Sequence, residues 1–115
     1  MVIRTVLLGG MIALSASAVI AAEKPIRFWN LTSETVTSLR LTDAGKKSFG
    51  VDLAKGDSDG SVDHDERLAI KNIAPGIYDA SIGFKSGRSC IVSDLRIEAN
   101  SVFSIEDKDL TSCKK

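Results

Sequence analysis

Polar and apolar residues alternate in short runs along most of this chain, and turn-forming residues separate the runs. The clearest run spans residues 78–84, in which every second residue is apolar. This alternation is typical of a β-strand that buries one face. Together with the positions of β-branched and aromatic residues, it predicts seven strands: residues 25–31, 35–42, 49–53, 66–73, 78–84, 89–97 and 102–105. We also expect Trp29 in the core and a short helical turn at residues 107–110.

The connections support a fold without long helices. Ser86-Gly87 is a two-residue hairpin signal, and Ser93-Asp94 interrupts the alternation of the sixth strand, which predicts a bulge there. Short strands with regularly spaced turn signals are typical of sandwiches and small barrels. The sequence therefore predicts an all-β fold, a small antiparallel β-sandwich of about seven strands with an immunoglobulin- or fibronectin-like shape.

The first 22 residues have the pattern of an export signal. One positive charge, at Arg4, precedes an apolar run that ends in small residues at 15–22. The run of about fifteen residues is shorter than the roughly 20 that a membrane-spanning helix needs. We predict a signal peptide at residues 1–22, with cleavage after Ala18 as the alternative, and a single domain at residues 23–115. The protein is then periplasmic or secreted, with no membrane insertion after signal removal.

The charge of the predicted domain is close to neutral. Without Arg4, fourteen basic residues stand against fifteen acidic ones. A nucleic-acid partner would require a basic stripe, and the sequence has none. We therefore expect a protein or glycan partner and no nucleic acid.

Cys90 and Cys113 are the only cysteines of the chain. In an exported protein an even pair predicts one disulfide. Closing a loop of this length stabilises a small domain by roughly 3 kcal/mol in the chain-entropy treatment. A redox or metal-binding pair is the alternative, although the C-x-x-C spacing is missing.

The acidic stretch at residues 55–66 lies between the predicted third and fourth strands. Aligning Gly60 with the sixth position of an EF-hand loop places carboxylates at the third, fifth, ninth and twelfth positions. These residues are Asp57, Asp59, Asp63 and Glu66, and Val62 falls at the hydrophobic eighth position.

Two features of this stretch weaken the calcium prediction. Lys55 occupies the first position, where a carboxylate normally binds the ion, and the flanking segments are predicted strands rather than helices. The predicted site is therefore a weak calcium site, in the range of about 0.1 to 1 mM. The alternative is a solvated turn whose charge is offset by Lys55 and Arg67.

Candidate catalytic groups are few. His64 is the only histidine, and Ser61, Asp63 and Asp65 crowd around it in one turn. Such crowding hinders the placement of a base between a nucleophile and an orienting acid. We predict a noncatalytic exported binding or structural module. A small metal-dependent or carboxylate-based hydrolase that uses the same acidic residues is the alternative.

Several motifs resemble an uncharacterised family of small exported proteins of Gram-negative bacteria. The similar segments are Phe28-Trp-Asn-Leu-Thr32, Asp59-Gly-Ser-Val-Asp-His-Asp-Glu-Arg-Leu68, Gly87-Arg-Ser-Cys90 and the C-terminal Cys113. The resemblance implies export to the periplasm or beyond. It carries over no ligand, reaction or site residue.

Overall fold

The computed structural model describes residues 25–46 and 48–115, so the predicted signal peptide lies outside the described residues. These residues form seven strands and two short 3-10 helices, and the predicted all-β fold is confirmed. The strands are β1 (Ile26–Leu31), β2 (Val36–Asp43), β3 (Arg67–Ile70), β4 (Gly76–Phe84), β5 (Ser89–Ile97), β6 (Val102–Glu106) and β7 (Ser112–Lys114), and the 3-10 helices span Leu53–Gly56 and Asp107–Asp109. No helix in the described ranges is long and apolar enough to cross a membrane.

The strands form two sheets, as expected for a small β-sandwich. One sheet has the order β3-β1-β6, and the other has the order β2-β4-β5-β7. The named strands pair antiparallel except for β1 and β6, which are parallel. The wholly antiparallel arrangement predicted from sequence thus has one exception, at the central strand of the smaller sheet.

The core lies between the sheets and consists mainly of apolar residues of the strands, together with Val62 from the connection before β3. Phe28 and Phe103 contact each other there, with ring centroids 5.6 Å apart. Full burial of one large apolar side chain stabilises the fold by about 1.5–3 kcal/mol. The largest fully buried apolar side chains are Phe28, Leu39, Ile82, Ile97, Ile105, Val36 and Val62.

The predicted strand at residues 49–53 is wrong. Gly50 donates a single backbone hydrogen bond to the carbonyl of Leu41, and the chain then enters the 3-10 helix Leu53–Gly56. Asp52 explains the change, because its Oδ1 accepts hydrogen bonds from the backbone N–H groups of both Leu39 and Ala54. The Asp52 side chain therefore occupies the edge of β2 with which the predicted strand at residues 49–53 would have paired. Val51 is consequently left 75% exposed.

Elsewhere the largest differences from prediction concern β3 and β7, and two local features agree with prediction. β3 is limited to Arg67–Ile70, and the chain tail adds β7, which no alternation indicated. The predicted bulge is present, since the β4–β5 register shifts and Asp94 adopts a φ of 57°. Asp79 holds this bulge by accepting the Asp94 N–H at 3.0 Å. The helical turn predicted at 107–110 is the 3-10 helix Asp107–Asp109.

The predicted disulfide between Cys90 and Cys113 is present. The two residues lie directly opposite each other in the β5–β7 pair. Cys90 is buried at the edge of the core, whereas all three residues of β7 are exposed. The bond thus fastens a short surface strand to the edge of the larger sheet.

Candidate functional site

Residues 55–66, called the acidic loop below, are attached to the sandwich at Val62. This residue exchanges two backbone hydrogen bonds with Val36, the first residue of β2, at 2.8 and 3.0 Å. The Val62 side chain is fully buried in the core. The hydrophobic eighth position of the loop alignment therefore serves as the loop's anchor.

Asn30 provides a second anchor beneath the loop. Its side chain is fully buried, and its Nδ2 donates to the carbonyls of Val62 at 2.8 Å and Glu34 at 2.9 Å. Its Oδ1 accepts from the N–H and the hydroxyl of Thr32, at 3.0 and 2.6 Å. All four hydrogen-bonding positions of the amide are used, which is the condition for burying it without a large penalty.

The end of the loop lies against β1. Asp65 donates its N–H to the carbonyl of Asn30, and its Oδ1 accepts the indole N–H of Trp29 at 2.9 Å. The guanidinium of Arg67 stacks 4.0 Å from the centroid of the Trp29 ring. Trp29 is half-buried on the outer face of its sheet, so its predicted place in the core is wrong. The alternation that places Ile26 and Phe28 inside already assigns Trp29 to the opposite face.

His64 is held by the backbone rather than by a carboxylate. Its Nδ1 lies 2.7 Å from the carbonyl oxygen of Thr32. Since a carbonyl only accepts, this nitrogen carries a proton. In the described structure the His64 ring therefore lacks the carboxylate partner that orients the histidine of a catalytic triad.

The first half of the loop is shaped by local hydrogen bonds. Asp57 Oδ1 accepts the N–H of Asp59 at 3.4 Å, and Asp59 Oδ1 accepts the N–H and hydroxyl of Ser61 at 3.0 and 3.1 Å. Gly60 takes a φ of 75°, a conformation that favours glycine. The backbone N–H of Ser61, followed by its hydroxyl, lowers the pKa of Asp59 below its ordinary value.

The second half is closed by a reciprocal turn. Asp63 donates its N–H to Glu66 Oε1 at 2.8 Å, and Glu66 donates its N–H to the carbonyl of Asp63 at 3.0 Å. The carboxylate of Asp63 accepts the hydroxyl of Thr35 at 3.1 Å. Lys55 lies 3.9 Å from Asp52, which precedes the loop, so its ammonium is directed to a carboxylate outside the loop.

The four predicted calcium ligands thus share one loop but make different local contacts. Within residues 25–46 and 48–115, no three His, Cys, Asp or Glu side chains are grouped closely enough to hold a metal ion. Five surface hollows of about 270 to 460 Å³ are lined by other residues. The calcium site stays a prediction.

Two residues that shape the site were missed by the sequence analysis. Asn30 and Asp52 were predicted only as members of strands, yet both use side-chain oxygens to fix backbone N–H groups. Asp52 could have been recognised as a helix-capping residue, because aspartate is common at the N-cap. There its side chain accepts the N–H of the residue two positions later, here Ala54. Asn30 offered no comparable signal, because its partners become neighbours only in the folded chain.

The fold and site define a small disulfide-containing β-sandwich with an anchored acidic loop. No family model, curated protein or solved structure matches the chain. Its function is therefore inferred from its own residues.

Proposed function

We propose that the protein is an exported, noncatalytic binding module that presents the acidic loop to a positively charged segment of a partner protein. One observation carries this proposal: the loop backbone is fixed while its carboxylates stay at the surface. Val62 and Asn30 are fully buried, whereas Asp59, Asp63 and Glu66 are exposed. A loop that is ordered before binding loses little conformational entropy when a partner docks.

The charge of the loop supports a cationic partner. It contains five carboxylates, at Asp57, Asp59, Asp63, Asp65 and Glu66, and Lys55 is its only lysine or arginine. Lys55 lies 3.9 Å from Asp52, and five carboxylates against one ammonium leave the loop with a net charge of minus four. Complementary charge increases the association rate and excludes partners of like charge.

A weak calcium site is the second candidate function of the same loop. The φ of Gly60 and the burial of Val62 agree with the roles that the EF-hand alignment assigns to the sixth and eighth positions. The twelfth-position ligand, Glu66, would have to release the N–H of Asp63 to bind an ion. This cost supports an affinity at the weak end of the range for calcium loops.

The noncatalytic reading is preferred to the hydrolase alternative. Acid catalysis by a carboxyl group requires a pKa raised by an apolar environment and a cleft that holds the substrate. Asp59 instead has a lowered pKa, at a fully exposed position. Exposed carboxylates that accept local hydrogen bonds are better suited to recognition than to proton transfer.

The test is a set of NMR titrations of residues 23–115 with an oligolysine peptide and, separately, with calcium. We expect oligolysine to shift the amide resonances of residues 55–66 saturably. The double variant Asp59→Ala with Glu66→Ala should lose most of this response. Glu98→Ala, which removes an exposed carboxylate outside the loop, is the matched control and should bind as the unaltered protein does.

Each of the two candidate functions can be refuted by its own result. If oligolysine binds the double variant and the unaltered protein equally well, the acidic loop is not the binding surface. The predicted dissociation constant for calcium has an upper limit of about 1 mM. If calcium at several times this concentration moves no resonance in residues 55–66, the calcium candidate is abandoned. Export is tested by the mass of the protein from the periplasmic fraction or medium, which should correspond to a chain that begins at Glu23.

A further inference from the structure

A shallow groove lies on the outer face of the larger sheet, around Ile91. It has a volume of about 330 Å³ and is formed by β4, β5 and β7. Ile91 lies between Ser81 and Ser112 in the strand register, and Ser89 lies beside Lys114. Because strands are about 4.8 Å apart, these side chains form two short rows across the sheet. We call this surface, defined by Ser81, Ser89, Ile91, Ser112 and Lys114, the Ile91 groove.

The polar groups of the Ile91 groove are free to bind a ligand. Ser86 and Ser101 donate their hydroxyls to other residues of the chain, but Ser81, Ser89 and Ser112 form no side-chain hydrogen bond within the described ranges. Lys114 is likewise absent from the ion pairs of the described residues. Three hydroxyls and one ammonium thus surround an isoleucine that is 37% exposed.

A second hollow continues the groove on the other side of Ile91. It has a volume of about 270 Å³ and includes Phe49, Lys46 and Asp79. Both carboxylate oxygens of Asp79 are used by backbone N–H groups, of Gly45 and Asp94. The two hollows share Ile91, so together they bring Ile91, Phe49, Lys46 and Lys114 to one continuous surface.

We propose that the Ile91 groove and its extension bind an acidic oligosaccharide. Serine hydroxyls both donate and accept, as sugar hydroxyls require, and Ile91 and Phe49 offer apolar contacts to the C–H faces of sugar rings. Lys114 and Lys46 supply the charge for carboxylate groups on the sugar. This surface is separate from the acidic loop, and the inference does not depend on the loop's binding a cation.

The disulfide gives the groove one of its walls. Ser112 and Lys114 belong to β7, whose three exposed residues pair only with β5 and are fastened there by the Cys90–Cys113 bond. Leu110 is packed against the core just before β7. Reduction by a dithiol transfers two electrons and two protons, converting the S–S bond into two thiols while the dithiol becomes a disulfide. The chain after Leu110 is then free to leave the sheet, and the groove loses Ser112 and Lys114.

The test is an NMR titration with tetragalacturonate as the probe. We expect saturable shifts at residues 46, 49, 81, 89, 91, 112 and 114, and none in residues 55–66. Lys114→Ala should weaken binding about tenfold, through loss of a charge-assisted contact. Lys115→Ala is the matched control, because it removes the same charge from the next residue, outside the groove, and should change binding less than about twofold. The Asp59→Ala, Glu66→Ala variant should bind the probe normally.

Two comparison probes and the reduced protein complete the test. Maltotetraose, which is neutral, should bind at least about tenfold more weakly, and tetraglutamate should not bind at the groove. Reduction with dithiothreitol should abolish binding while the core resonances stay in place. Equal effects of Lys114→Ala and Lys115→Ala, equal binding of tetraglutamate, or no shift with the probe at about 20 mM would each overturn the proposal.

Discussion

Asn30→Ala is expected to destabilise the whole domain. Within the acidic loop the Asn30 side chain bonds to Val62, and the backbone bonds of Asn30 to Asp65 and Glu66 are kept in the variant. Removal of the amide deletes its bonds to the carbonyls of Val62 and Glu34. Both carbonyls keep another donor, since Val36 N–H also bonds to Val62 and the Thr32 hydroxyl to Glu34. The N–H of Thr32, by contrast, loses the Asn30 acceptor in a fully buried residue.

These contacts set the size of the effect. An unsatisfied buried donor costs about 1–3 kcal/mol. The loss of each further hydrogen bond removes a net contribution to stability of about 0.5–1.5 kcal/mol. We expect a loss of about 3 kcal/mol in the free energy of unfolding, a large share of the 5–15 kcal/mol that is usual for a domain. Urea unfolding followed by circular dichroism measures it. The same variant should also speed hydrogen exchange at the amides of Val62 and Asp65.

The control for this experiment is Ser33→Ala. Ser33 is an exposed polar residue of the same turn, and its hydroxyl makes only a 3.3 Å contact with Asp107. Its loss should change stability by less than about 0.5 kcal/mol. If Asn30→Ala is as mild as Ser33→Ala, the reasoning that the buried amide anchors the loop is refuted.

Three further outcomes are expected. Val62→Ala should lower the free energy of unfolding in urea by about 2 kcal/mol, because it leaves a cavity in the core. Val51→Ala should change it little, because Val51 is 75% exposed. Equal losses in the two variants would contradict the anchoring role of Val62. Because the folded pKa of Asp59 is lowered, its contribution to stability is present above the unfolded pKa and is lost as the pH falls through the folded value. Ser61→Ala removes the hydroxyl but keeps the backbone N–H that lowers this pKa most, so the pKa should rise only partway in an NMR titration of the side-chain carboxyl, and an unchanged value would contradict the hydroxyl's contribution. Native protein should contain no thiol reactive to Ellman's reagent, and reduction should lower the free energy of unfolding by roughly 3 kcal/mol.

The sequence predicted the sandwich because alternation reports which face of a strand is buried. Six of its seven strands correspond to observed strands, and each has an apolar face in the core. The segment at 49–53 has the same alternation but lies where Asp52 blocks pairing with β2. β7 was not predicted because its position depends on Cys113, a long-range bond that leaves no periodic pattern.

The candidate site was predicted less completely than the fold. Val62 was identified as a hydrophobic position of the loop, and it is buried as that position requires. The contacts that fix the loop, such as Asn30 to Val62 and Trp29 to Asp65, join residues more than 30 positions apart in the sequence. Contacts of this kind follow from strand order, which alternation alone does not determine.

The position of β1 also determines when the domain can fold. Phe28 pairs with Leu68 on one side and with Phe103 on the other, so the first strand is paired on both edges only when nearly the whole chain is available. Contacts between such distant residues form slowly, because a large loop must close first. As the chain emerges from the ribosome, β1 can pair with β3 once residue 70 is available, but its other edge stays unpaired until β6 has been made. Until then this edge of β1 is open to wrong pairing with another strand or another chain.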